Sequence, residues 1–274
     1  MFKIRSLLKR AVPILLLILP LVSASAEPRL YAEGKSPKTS SSTLLRRVRV
    51  PILMYHYISV PPPDADKYRL DLSVTPDNFR RQMQWLKEHG YRTISPDDFM
   101  AAVERGKKLP DRPVLVTFDD GYIDAYTNAF PILRSVGFKG TFFIVTDWLD
   151  ENKQGYLNWT QAKEMSQWGM SIENHSRRHE DMRKRDHDWL IYEILGPIES
   201  IEAHIGVRPL FFCYPAGQFD LNVVRELRAA GIEAAFTTND GTYGYSDDML
   251  RLPRVRIRGS TNLATFADLM SWER

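Results

Sequence analysis

RPVLVTFDDGYIDAYTNAFPILRSVGFKGTFFIV, residues 112–145, holds the pattern that decides the fold. RPVLVTF is an apolar run of strand type, AYTNAFPILRSVG reads as a helix, and KGTFFIV is a second apolar strand. The first strand ends in two adjacent carboxylates, Asp119 and Asp120, followed by Gly121. Neighbouring like charges repel, and a buried strand end makes ionising both harder still. Something elsewhere in the chain must compensate.

The same alternation runs outward in both directions. Upstream lie the strand VPILMYH, ending at His56, a Pro-rich loop, VPPPDADKYRLDLSV, and a helix opened by Thr75-Pro76-Asp77. Thr75 suits the N-cap and Pro76 the first helical position. YRTI is a short strand, and Ser95-Pro96-Asp97 caps the next helix. Downstream come the helix WTQAKEMSQWG, the strand MSIEN running into His175, the long helix DWLIYEILGPIESIEAHIG and the strand PLFFCYP. LNVVRELRAAG, IEAAFTT, RLPRVRI and NLATFADLMSW complete the series as helix, strand, strand and helix. Repeated βα units imply a parallel sheet with helices outside, and the nearly continuous apolar strands fit one covered on both faces. No G-x-G-x-x-G is present, which counts against a dinucleotide-binding open sheet. The fold class expected is α/β, a (β/α) barrel, with its chemistry at the C-terminal ends of the strands.

The ends of the chain read differently. Residues 1–26 combine a basic start (Lys3, Arg5, Lys9, Arg10), an apolar run at residues 11–22 and the small-residue pattern Ala24-Ser25-Ala26. This reads as an export signal peptide; its apolar core is short of the roughly 20 residues a spanning helix needs, so no stable membrane span is expected once it is cleaved. Residues 27–48 are polar and rich in Ser, Thr, Lys and Pro, and read as a flexible linker. The folded part is then residues 49–274, with 28 Lys and Arg against 32 Asp and Glu, a mildly acidic balance that points away from nucleic acid. The lone cysteine, Cys213, excludes an internal disulfide framework.

Within a barrel the polar residues at strand ends become informative. His56 ends the first strand, Asp119 and Asp120 the third, His175 and His179 follow the fifth, and Tyr214-Pro215-Ala216-Gly217 follows the sixth. His175 and His179 stand at i and i+4, and on a helical turn both imidazoles face one way. Two histidines and a carboxylate make a ligand set for a catalytic zinc or similar divalent ion. Such an ion answers the carboxylate puzzle: one aspartate binds it, and the other stays ionised nearby as a general base for the attacking water.

Three motifs in this order resemble the polysaccharide deacetylase family, the NodB-homology or carbohydrate esterase family 4 domain: TFDDGY at residues 117–122, HSRRH at 175–179 and FCYPAG at 212–217. The resemblance spans residues 49–274 and implies a distorted (β/α)7 barrel that removes N-acetyl, and in some members O-acetyl, groups from sugars. It implies Asp119 as catalytic base, Asp120, His175 and His179 as metal ligands, and the backbone N–H near Ala216 as oxyanion donor. The chain departs from the commoner pattern in two places. Cys213 stands where the third motif usually has an arginine that pairs with the base, and the final strand, with Arg254, lacks the usual histidine.

VPILMYHY and NFRRQMQWLKEHGYRTIS resemble the exported deacetylases of biofilm exopolysaccharide, the poly-β-1,6-N-acetylglucosamine type, in which motif order is permuted. There the general-acid histidine comes from the N-terminal Y-H motif, which maps to His56. Arg254 is then a candidate to replace the missing arginine beside Asp119, because a barrel brings strand ends together. Tyr214, Pro215, Ala216 and Trp159 are the expected substrate-binding residues, the two aromatics by stacking on a sugar ring. The function expected is metal-dependent deacetylation of an N-acetylglucosamine-containing polysaccharide, with zinc the first choice of ion and nickel, cobalt or iron also suited. The partner is the acetylated polymer, and the location is outside the cytoplasm: periplasmic, extracellular or envelope-associated. The competing readings are a carbohydrate-binding pseudoenzyme and a metal-dependent amidase acting on a small amide.

Overall fold

The computed structural model describes residues 46–245 and 248–271. The signal peptide and most of the linker expected from the sequence lie outside the described residues. Seven parallel strands form a closed ring: β1 (Ile52–Tyr55), β2 (Pro113–Phe118), β3 (Thr141–Ile144), β4 (Ser171–Asn174), β5 (Phe211–Cys213), β6 (Ala234–Asp240) and β7 (Leu252–Arg256). The ring closes because β1 pairs with both β2 and β7; Leu53 faces Val116 on one side and Val255 on the other. The ring is uneven. β4 meets β5 through one residue pair, Asn174 with Phe212, and the β6–β7 register shifts between Leu252 and Arg254. This is the distorted (β/α)7 barrel expected from the motifs.

The helices form where the sequence signals them. Pro76–Glu88 starts at the Thr75 cap, and Pro96–Arg105 starts at Ser95 with a reciprocal capping box to Asp98. His187–Ile205 runs through Pro197 and ends at Gly206, whose φ of 87° lies in the left-handed region. Two short helices had no periodic signal. Lys67–Leu72, capped by Asp66, lies inside the stretch read as a Pro-rich loop, and Thr146–Asp150 follows β3 directly. The end of the presumed linker also differs: Arg47–Arg49 pairs antiparallel with Tyr243–Tyr245, so the fold takes up Arg47 and Val48. Backbone pairing from a distant segment, invisible in composition, draws them in. Among the described residues no helix is long and apolar enough to cross a membrane.

Alternation along the strands divides the core into layers. Ile52, Leu115, Phe143, Phe211, Cys213, Phe236 and Leu252 fill the barrel. Leu53, Tyr55, Val116, Phe118, Phe142 and Ile144 face the helices, with Phe118 and Phe142 stacked at 4.6 Å. On β2 the inward set is Leu115 and Thr117, and period two carries it on to Asp119. On β7 the inward set is Leu252 and Arg254. The interior thus carries polar groups at its upper end, above an apolar plug.

Candidate metal and catalytic site

Backbone geometry separates the two aspartates. Asp119 continues the strand, its N–H donating to the Tyr55 carbonyl at 3.0 Å. Asp120 and Gly121 then take φ of 73° and 74°. Two successive left-handed residues turn the chain sharply. Aspartate is among the few side chains that tolerate this region, and glycine takes it freely. A Cβ at Gly121 would lie 3.2 Å from the Ile144 side chain, so this position is constrained in space as well as in φ.

His175 and His179 do not share a helical turn. Residues 175–179 form a loop in which Ser176 and His179 have φ of 66° and 59°. Side chains hold it: the Ser176 N–H donates to Asn174 Oδ1 at 2.8 Å, and the His179 N–H to Ser176 Oγ at 2.9 Å. The loop still converges both rings. Each Nε2 lies 3.2 Å from Asp120 Oδ1.

The donor set fits a divalent cation. His175 Nδ1 is 2.7 Å from the Cys213 carbonyl, which can only accept, so Nδ1 carries the proton. In the neutral ring Nε2 then presents a lone pair toward the carboxylate oxygen, an arrangement that calls for a cation between them. Ligand atoms about 2.1 Å from a shared ion and roughly 100–110° apart stand about 3.2–3.4 Å from one another, which matches the Asp120 distances. Burial by itself pushes the Asp120 carboxyl up, but with no ion between them the rings of His175 and His179 can instead donate to it, which outweighs burial and holds the group well below the usual range. His179 moves the opposite way: Asp120 outweighs burial and raises it.

Asp119 has a different partner. Arg254, fully buried, donates from Nη1 to Oδ1 at 2.7 Å and from Nη2 to Oδ2 at 2.6 Å. Its remaining N–H groups reach the Thr237 carbonyl, Thr117 Oγ1 and Cys213 Sγ at 2.9, 3.1 and 3.2 Å. Every donor of the guanidinium is engaged, as a buried arginine requires. Burial would raise the Asp119 carboxyl; Arg254 outweighs it and brings the group down to about 2. Cys213 lies beside the pair, 3.5 Å from Asp119, with its thiol pushed well up by burial. It forms a geometric cluster with Asp119 and His175, but the adjacent guanidinium opposes a cation there. His56 Nε2 stands 3.8 Å from Asp119 Oδ2, and burial lowers the imidazole despite both aspartates.

The four expected substrate-binding residues do not form one surface. Tyr214 is fully buried, stacks on Phe219 at 4.5 Å, and donates its hydroxyl to the Leu250 carbonyl at 2.8 Å. Its ring belongs to the helix-facing core and has no face free for a sugar. Trp159 stacks on His204 at 4.1 Å between two outer helices and donates to Asp150, which accounts for its ring without a ligand. Pro215 is buried behind the rim. Ala216 is exposed with φ of 51°, and among the described residues its backbone N–H has no protein acceptor. The aromatics beside the ligands are others: Tyr57 stacks on Tyr122 at 3.5 Å, Tyr122 on Tyr156 at 5.1 Å, and Trp148 packs on Tyr156 and near His179. The signal for two of them was adjacency, since Tyr57 follows His56 and Tyr122 follows Asp119-Asp120-Gly121.

Comparison with known proteins finds related sequences and folds. Residues 106–235 match the family model described as polysaccharide deacetylase. The Bacillus subtilis (strain 168) protein YxkH, which carries a polysaccharide deacetylase name, is 30% identical over 248 residues, covering 85% of each chain. The poly-beta-1,6-N-acetyl-D-glucosamine N-deacetylase of Escherichia coli (strain K12) is 25% identical over 239 residues, 72% of this chain and 35% of that longer protein. Among solved structures, the Streptococcus pyogenes deacetylase PplD in complex with acetate superposes with a TM-score of 0.76 at 28% identity, over 82% of this chain and 100% of that one.

Proposed function

The chain belongs to the polysaccharide deacetylase family, and from that premise we propose that it is a hydrolase removing N-acetyl groups from an N-acetylglucosamine-containing polysaccharide. The observation that carries the reading is the convergence of Asp120, His175 and His179 on one point beside an ionised, arginine-tethered Asp119. Asp120, His175 and His179 would hold a divalent ion, zinc first by donor type. Bound there, the ion supplies a Lewis acid for the acetyl carbonyl and acidifies a water.

The chain's own groups account for the proton transfers. Asp119 accepts the proton of the attacking water, and Arg254 keeps it ionised and aimed. His56 delivers a proton to the departing sugar nitrogen, without which an amide nitrogen is a poor leaving group. The free N–H of Ala216 is the candidate donor to the oxyanion. The C–N bond breaks, the acetyl carbon leaves as acetate with the water's oxygen, and the sugar keeps an amine. The basic-then-apolar N-terminus supports export to the periplasm, the envelope or the medium, where such a polymer lies.

Acetate release tests the proposal. The metal-loaded protein is offered poly-β-1,6-N-acetylglucosamine, chitin oligomers and peptidoglycan, with and without a chelator. Release that the chelator abolishes is expected; no release from any of them overturns the reading.

A further inference from the structure

Between the two histidines of the HSRRH loop stand two arginines, Arg177 and Arg178, that the chemistry above does not use. The structure gives them a receptor. On the helix His187–Ile205, Trp189, Tyr192, Glu193 and Gly196 occupy i, i+3, i+4 and i+7, one face of the helix. Glu193 is wholly buried, rare for a glutamate unless it is paired. Its Oε2 accepts the backbone N–H groups of Arg177 and Arg178 at 3.1 and 3.0 Å, and Oε1 accepts Arg178 Nε at 2.6 Å. The Arg177 guanidinium lies 4.3 Å from the centre of the Tyr192 ring and passes over Gly196, where an added Cβ would stand 2.9 Å from Nη1. From the other side, Arg177 Nε pairs with Asp147 at 2.8 Å.

We propose that this socket, centred on Glu193, is a positioning device that sets the separation of His175 and His179 and so the metal affinity of the site. The inference rests on the ligand set proposed above. The loop carries two left-handed non-glycine residues, so it does not hold its shape from local preference alone. One carboxylate binding two successive backbone N–H groups fixes the peptide planes between the ligands. Groups that orient metal ligands in this way typically change affinity about 10- to 100-fold when removed.

The test is zinc affinity of the full chain, measured by competition with a chromophoric chelator, alongside the thermal midpoint of the metal-free protein. Glu193→Ala is expected to weaken zinc about 10- to 100-fold. Glu193→Gln, whose amide oxygen can still accept the backbone N–H groups, is expected to recover part of that loss. Arg178→Ala, at a half-exposed side chain, removes only the guanidinium contact and is expected to cost a few-fold; it decides the matter if Glu193→Ala does not fold. Zinc affinity within twofold of the parent in Glu193→Ala, or in Arg178→Ala if that is the only folded variant, overturns the proposal, even if the midpoint falls. Asp120→Ala is run in parallel. If it leaves zinc binding intact, the ligand set itself is wrong and the socket falls with it, a result distinct from failure of the socket alone.

Discussion

Arg254 and Asp119, 135 residues apart in the chain, meet in a two-point ion pair inside the barrel, Nη1 to Oδ1 at 2.7 Å and Nη2 to Oδ2 at 2.6 Å. The pair explains how two adjacent aspartates can both be ionised at a buried strand end. Each has its own source of positive charge or hydrogen bonds: Arg254 for Asp119, and the two histidines for Asp120. It also supplies the guanidinium that the family resemblance led one to expect in the third motif, where Cys213 stands instead. The thiol lies 3.2 Å from Arg254 Nη2, beside a guanidinium that arrives from β7, two strands away around the ring.

Removing that guanidinium leaves a buried carboxylate without its counter-charge. Arg254→Met is expected to lose about 3–5 kcal/mol of stability, the usual cost of breaking a buried pair from one side. The Asp119 carboxyl, now at about 2, should move up. A general base works only when ionised, so the acid limb of the pH–rate profile should shift to higher pH, with more activity lost at pH 5 than at pH 8. An unchanged acid limb in a folded variant would remove Arg254 from the mechanism.

The two aspartates should separate by readout. Asp119→Asn is expected to keep its zinc and lose turnover by about 10²- to 10⁴-fold, the range for a lost general base. Asp120→Asn should lose the zinc itself. Metal content by atomic absorption beside acetate release distinguishes them; equal metal loss in both variants would merge their roles.

His56 carries the proton for the leaving amine in the proposed reaction. His56→Gln is expected to lower kcat by about 10²- to 10⁴-fold with little change in KM. A rise in KM alone would make His56 a binding residue instead.

Tyr214 and Trp159 should matter for stability and not for substrate. Tyr214→Phe removes the donor to the Leu250 carbonyl and is expected to cost about 1 kcal/mol, with KM unchanged. Trp159→Phe should likewise lower the thermal midpoint without touching KM. A several-fold rise in KM for either would restore it to the sugar site.

Glu173 offers a pH dependence of stability. Burial pushes its carboxyl up to about 8 from an ordinary 4.5, despite hydrogen bonds from Ser171, Leu210 and Phe211. The folded state therefore holds a proton that the unfolded chain releases. Its contribution is complete below pH 4.5 and is lost as pH rises to about 8, on the order of 3–5 kcal/mol over the window. Glu173→Gln is neutral throughout, and its denaturation midpoints should decline less over that range. Identical slopes would show that Glu173 is ionised in the folded protein.

The sequence by itself determined the barrel and which polar residues stand at its rim. Strand–helix alternation carries fold class because apolar periodicity is local, and cap residues such as Thr75 and Ser95 announce helix starts within a few residues. Asp119, Asp120, His175 and His179 were legible for the same reason: each pair is close in the chain, and their types admit few chemistries. Tertiary structure alone decided which distant groups meet. Arg254 could be named from RLPRVRI only as a candidate beside Asp119; strand alternation along β7 turned it inward, and the closed ring brought it onto the carboxylate. Tyr214 and Trp159 read as sugar platforms only while the direction of their rings was unknown, and core packing turned both away. The loop at 175–179 brings its histidines together without a helical turn, through Asn174, Ser176 and a buried glutamate on another helix. Spacing in a sequence fixes which residues are neighbours along the chain, whereas register and strand direction, set by the packing of the whole barrel, fix which of them touch.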